Sequence, residues 1–94
     1  MAFQVRRYFI AGKVQGVGFR NYTQKKARQL GVNGWVRNLE DGRVEALAVA
    51  EAAKLLELER FLHRGPMHAE VTGVEKLDSE ANNAPSQDDF EILF

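Results

Sequence analysis

The sequence predicts an α+β fold in which an antiparallel sheet carries two helices on one face. Three observations predict it. Apolar, β-favouring segments recur at residues 3–11, 32–39, 43–50, 69–77 and 90–94. Two other stretches, 21–30 and 51–63, place apolar residues at three-to-four spacing, the period of a helix with one buried stripe. The resulting order is strand, helix, strand, strand, helix, strand, with a short terminal strand.

Each element has its own justification. Phe3, Val5, Phe9 and Ile10 supply the apolar content of the first strand, although the alternation slips around Arg7-Tyr8 and leaves its buried face undetermined. In the first helix the stripe runs from Phe19 through Tyr22 or Thr23 and Lys26 or Ala27 to Leu30. Gly31 suits the position after its last turn. Lys25, Lys26 and Arg28 lie late in it, where cations suit the dipole. Val32 to Leu39 forms the second strand, with Trp35 its largest side chain. Glu40-Asp41-Gly42 supplies turn chemistry. Arg43 to Ala50 then completes a hairpin, alternating Val44, Ala46 or Leu47, and Val49.

The second helix, from about Glu51 to His63, sets Leu55, Leu58, Phe61 and Leu62 against Lys54, Glu57 and Arg60, and Gly65-Pro66 stops it. Ala69 to Leu77 is a fourth strand with Gly73 as a candidate bulge. Asp78 to Asp89, which contains Pro85 and Asn82-Asn83, reads as an exposed loop. Phe90 to Phe94 closes the chain as a short strand. There is no internal repeat, and residues 1–94 read as a single domain. The layout is the split βαβ, ferredoxin-like βαββαβ sandwich, which hosts many functions.

Composition narrows the function classes. Thirteen basic and thirteen acidic side chains cancel, which argues against nucleic acid as the main partner. Binding of RNA to the open sheet face needs aromatic side chains there for stacking, and Arg43 to Ala50 contains none. Without cysteine there is no thiol nucleophile, disulfide framework or thiolate metal site. The apolar stretch after Arg6-Arg7 is too short for a signal-peptide core, and nothing approaches a membrane span. The expected compartment is the cytoplasm.

The chemistry concentrates around Gly12-Lys13-Val14-Gln15-Gly16-Val17-Gly18-Phe19-Arg20. Glycines let backbone N–H groups approach a ligand, and converging N–H groups make a concave anion site. A helix start just beyond adds free N–H groups and the positive end of the dipole. Arg20 sits at the unfavourable end of that helix for a cation, and an anion held between it and the loop would reverse the cost. Residues 15–20 therefore read as a phosphate cradle. Taken by themselves they also fit a tight turn beside a solvated arginine.

Asn38 ends the second strand with an uncharged acceptor and two donors, suited either to fixing a water or to shaping the hairpin turn.

Together, that loop and Gly34-Trp35-Val36-Arg37-Asn38-Leu39-Glu40-Asp41-Gly42-Arg43-Val44-Glu45 resemble the two signatures of the acylphosphatase family, in the right order and separation. The resemblance covers essentially the whole chain. It implies hydrolysis of acyl phosphates to a carboxylate and inorganic phosphate, without cofactor or metal. Arg20 matches the family's phosphate-binding arginine, and Asn38 the residue that orients the attacking water. Gln15, Gly16, Val17, Gly18 and Phe19 match the backbone cradle, Gly18 at a position that varies in the family.

The implied partners are a small-molecule acyl phosphate and inorganic phosphate as product and inhibitor, with a monomer and neither nucleic acid nor membrane. A domain of this kind also serves as an accessory part of carbamoyl-transferring hydrogenase maturation factors. At 94 residues the chain is too short to hold the rest of such a protein.

Other polar residues read as structural. His63 and His68 lack a matching carboxylate spacing, Asp88-Asp89 read as a solvated loop, and Asp41 as a turn residue. Arg37 and Arg43 read as exposed strand charges within reach of a bound anion, and Ser79 and Ser86 lack a nucleophile's partners.

Overall fold

Strand alternation and helical periodicity resolve into five strands and two helices in the computed structural model, which describes residues 3–79 and 88–94. The elements are β1 (Gln4–Lys13), α1 (Phe19–Leu30), β2 (Asn33–Asn38), β3 (Val44–Ala50), α2 (Ala52–Arg64), β4 (Glu70–Ser79) and β5 (Phe90–Ile92). They form one sheet in the order β4-β1-β3-β2-β5. Four strands pair antiparallel, as expected, while β5 lies parallel to β2 and makes the sheet mixed. Most of the polar stretch that follows β4 falls outside the described residues, but Asp78 and Ser79 belong to the strand.

The helices cover one face. Tyr8, Ile10, Val36, Val44, Ala46, Ala48 and Phe90 from the strands form one core with Phe19 and Ala27 of α1 and Leu55, Leu58 and Leu62 of α2. This settles the open choices in the α1 stripe in favour of Thr23 and Ala27. Thr23 is tolerated there because its hydroxyl donates to Phe19 O at 2.8 Å.

The buried face of β1 escaped the pattern for a physical reason. Arg6 lies two residues from Tyr8 and so shares the helix-facing side. There it pairs with Glu59 of α2 at 2.8 Å. A charge on the inward face hides the apolar period. The opposite face is open to solvent and carries Phe9 and Trp35 beneath the guanidinium groups of Arg43 and Arg37. Glu45 is buried on that face, 2.7 Å from Arg37 and 3.3 Å from Arg7.

Local signals explain the boundaries. Gly31 has φ 75°, its N–H reaches Arg28 O, and Val32 N–H reaches Ala27 O at 2.8 Å. This is the Schellman ending of α1, with buried Val32 as its apolar contact. The β1–β4 register passes from Ala11↔Gly73 to Gly12↔Val71, so the bulge falls on Thr72, next to the expected Gly73.

Asp88 and Asp89 lie in an exposed bend, as read from the sequence, and there they also make specific contacts. Asp89 pairs with Arg28 through two hydrogen bonds of 3.0 Å and accepts the Phe90 N–H, while Asp88 accepts from Asn33. These contacts hold β5 against α1 and β2.

Candidate active site

The loop from Val14 to Gly18 joins β1 to α1 and is pinned at one end by the fully buried Val14. Gly16 and Gly18 take φ values of 74° and 79°, the left-handed region that favours glycine. A Cβ at either would meet nothing within 4 Å, so the requirement is conformational and both residues border open space.

Gly18 is the N-cap of α1 and offers no side-chain cap, and the first turn carries no acidic residue. The first helical bond runs from Tyr22 N to Gly18 O. The N–H groups of Phe19, Arg20 and Asn21 therefore lack a helical acceptor, at the positive end of the helix dipole.

Arg20 follows within the first turn. Its guanidinium lies 5.1 Å from the centre of the Phe94 ring, and it forms no ion pair among the described residues.

Asn38 closes β2, paired in register with Val44. Its side-chain Oδ1 is buried and has no hydrogen-bond partner. A buried polar atom without a partner costs about 1–3 kcal/mol, so such an atom marks a place for a water or ligand. Arg20 and Asn38 line the same cavity of about 160 Å³, together with Gly16, Gly18, Phe19 and Asn21.

Of the residues expected from sequence, Gly16, Gly18, Phe19, Arg20 and Asn38 meet at this cavity, whereas Gln15 and Val17 do not line it. Val17 packs against the core. Gln15 turns its amide towards the hairpin and donates to Leu39 O at 2.7 Å and Arg43 O at 2.9 Å.

Sequence reasoning missed Val14, Asn21, Ile92 and Phe94, which complete the wall. Ile92 ends β5, and Phe94 lies two residues beyond it. Only the parallel pairing, with Val36 opposite Ile92, brings them to Asn38.

Arg37 and Arg43 lie away from the cavity, engaged with Glu45 and Asp41. Asp41 serves the turn: its carboxylate accepts the Arg43 N–H and pairs with the guanidinium, which holds its pKa below the ordinary carboxylate range. His63 and His68 are exposed outside the site. Among the described residues no cluster of histidine and carboxylates has the makings of a metal site.

Fold and site thus define an α+β sandwich with a polar cavity where an uncapped helix start meets the end of a central hairpin. The acylphosphatase family model matches residues 6–92. An acylphosphatase of Nitrosococcus oceani is 51% identical over 86 residues, covering 92% of this chain and 93% of its own. One from Solibacter usitatus is 45% identical over 89 residues, covering 95% and 90%. The crystal structure of acylphosphatase from Bacillus subtilis superposes with a TM-score of 0.90 at 31% identity, covering 99% of this chain and all of that one. The chain belongs to the acylphosphatase family. Its activity is the hydrolysis of acyl phosphates, with inorganic phosphate as a product.

Proposed function

We propose that the cavity holds the phosphoryl end of the substrate between the Arg20 guanidinium and the main-chain N–H groups of residues 15–20, while Asn38 steers the attacking water. The observation that carries this reading is the buried, unpartnered Oδ1 of Asn38 in the same cavity as Arg20. An oxygen acceptor at that point accepts a hydrogen bond from the incoming water and so aims the water's lone pair at phosphorus.

The planar guanidinium presents a fork to two phosphate oxygens. The free N–H groups at the start of α1 add fixed positive charge without reorganisation. The water oxygen forms the new bond to phosphorus as the bond from phosphorus to the carboxyl oxygen breaks. The bonding pair leaves on the carboxylate, and the water's proton passes to a phosphate oxygen. A carboxylate is a good leaving group, so positioning and charge stabilisation suffice.

Inorganic phosphate then occupies the cradle as an inhibitor. The protein works as a cytoplasmic monomer. Arg20→Ala is expected to fold, to lose about 10²–10³-fold in turnover, and to lose inhibition by inorganic phosphate. Unchanged phosphate inhibition in this variant contradicts the cradle.

A further inference from the structure

In the sheet order β1 and β2 are separated by β3, so no strand ladder ties the loop after β1 to the end of β2. The two halves of the site therefore need a bridge, and Gln15 has the geometry of one. Its side-chain nitrogen lies 2.7 Å from Leu39 O and 2.9 Å from Arg43 O, so each amide hydrogen meets a different carbonyl. Those two carbonyls form the neck of the hairpin turn: Leu39 N donates to Arg43 O at 2.8 Å, and Gly42 N to Leu39 O at 3.2 Å. Leu39 directly follows Asn38, and Gly16, which lines the cavity, directly follows Gln15.

We infer that Gln15 is a positioning residue for the hydrolytic step, its side-chain amide locking the Asn38 end of the hairpin to the loop that receives the phosphoryl group. This rests on the reading of Asn38 above. A displacement of about 1 Å between water and phosphorus costs on the order of 10²-fold in rate. The phosphoryl group itself is gripped by the loop and Arg20. Loss of the Gln15 bridge therefore misplaces the water while leaving the grip intact.

The test compares kcat and the inhibition constant of inorganic phosphate in Gln15→Glu, in Asn38→Ala and in the double variant, with folding followed by circular dichroism. Glutamate keeps the size of the side chain and removes both donors at neutral pH. Kcat is expected to fall about 10- to 100-fold in Gln15→Glu and in Gln15→Met, and in the uncharged Gln15→Met phosphate inhibition changes by no more than about twofold. Either substitution adds little loss once Asn38 is already alanine. Acidification, which returns a donor to the glutamate, is expected to restore part of kcat relative to the unsubstituted protein.

Gln15→Met, of similar length and uncharged, gives the same comparison where Gln15→Glu does not fold. An equal loss with and without Asn38, or weakened phosphate inhibition at unchanged kcat, overturns the positioning role alone. Full turnover in Asn38→Ala overturns the water reading and this inference with it.

Discussion

Two glycines with positive φ do different work. Gly18, at φ 79°, has open space where a Cβ would stand. Gly34, at φ 146°, would place a Cβ 1.8 Å from Leu47 O of the neighbouring strand. Gly18→Ala is therefore expected to cost only about 1–2 kcal/mol of backbone strain. Gly34→Ala adds a clash with main chain that no rotamer relieves, and a loss above about 4 kcal/mol is expected. Urea denaturation of the two variants checks the contrast, and equal losses would contradict it.

That the loop glycines, Arg20 and Asn38 share one cavity was legible only from the two signatures taken together, since either stretch alone also fits a plain turn. Gly34 was not, since its role depends on how closely β3 approaches. Nor was the direction of the Gln15 side chain. A glutamine in a phosphate loop reads as part of the cradle until the hairpin carbonyls that it serves are placed beside it.

At the scale of elements, β1, α2 and β4 meet at Glu59. Its carboxylate accepts from Tyr8 and Arg6 at 2.8 Å each and from Lys76 at 3.2 Å. Burial pushes the Glu59 pKa up, but hydrogen bonds from Arg6, Tyr8 and Lys76 outweigh it, and the net shift is downward. Burial, followed by the bond to this carboxylate, raises the Tyr8 pKa and keeps its phenol a donor.

A lowered carboxylate pKa stabilises the fold above the unfolded value, about 4.3. That contribution disappears as pH falls through the lower folded value. Glu59→Gln is expected to lose about 1.5–3 kcal/mol at pH 7 and to show a smaller further loss on acidification. Thermal unfolding between pH 7 and pH 3 measures both. A variant as stable as the parent at pH 7 would contradict the network.

The helix stripes and the hairpin were legible here, because period and turn chemistry are local. The position of β5 was not. It is fixed by Asp89 on Arg28 and by main-chain bonds to Gly34 and Val36, partners far away in sequence.

Over the whole molecule, thirteen basic and thirteen acidic side chains balance, and the sequence contains no cysteine. Among the described residues no helix is long and apolar enough to cross a membrane. The fold class was legible as a whole because each element has a distinct period and the order admits few arrangements. The shape of the cavity was not, since its far wall comes from β5 and the chain end, which only the assembled sheet brings to Asn38.

If the phosphoryl chemistry needs only the main-chain N–H groups, Arg20 and Asn38, turnover of an aryl carboxyl phosphate is expected to continue unchanged in excess chelator. A loss restored by a divalent cation would contradict the metal-free mechanism.

The central claim concerns the division of labour between Arg20 and Asn38. Its most direct test is the turnover and phosphate inhibition of Asn38→Ala, measured side by side on folded protein. The expected result is a fall in kcat of about 10²–10³-fold with phosphate inhibition preserved. Turnover at the parent's rate would contradict it.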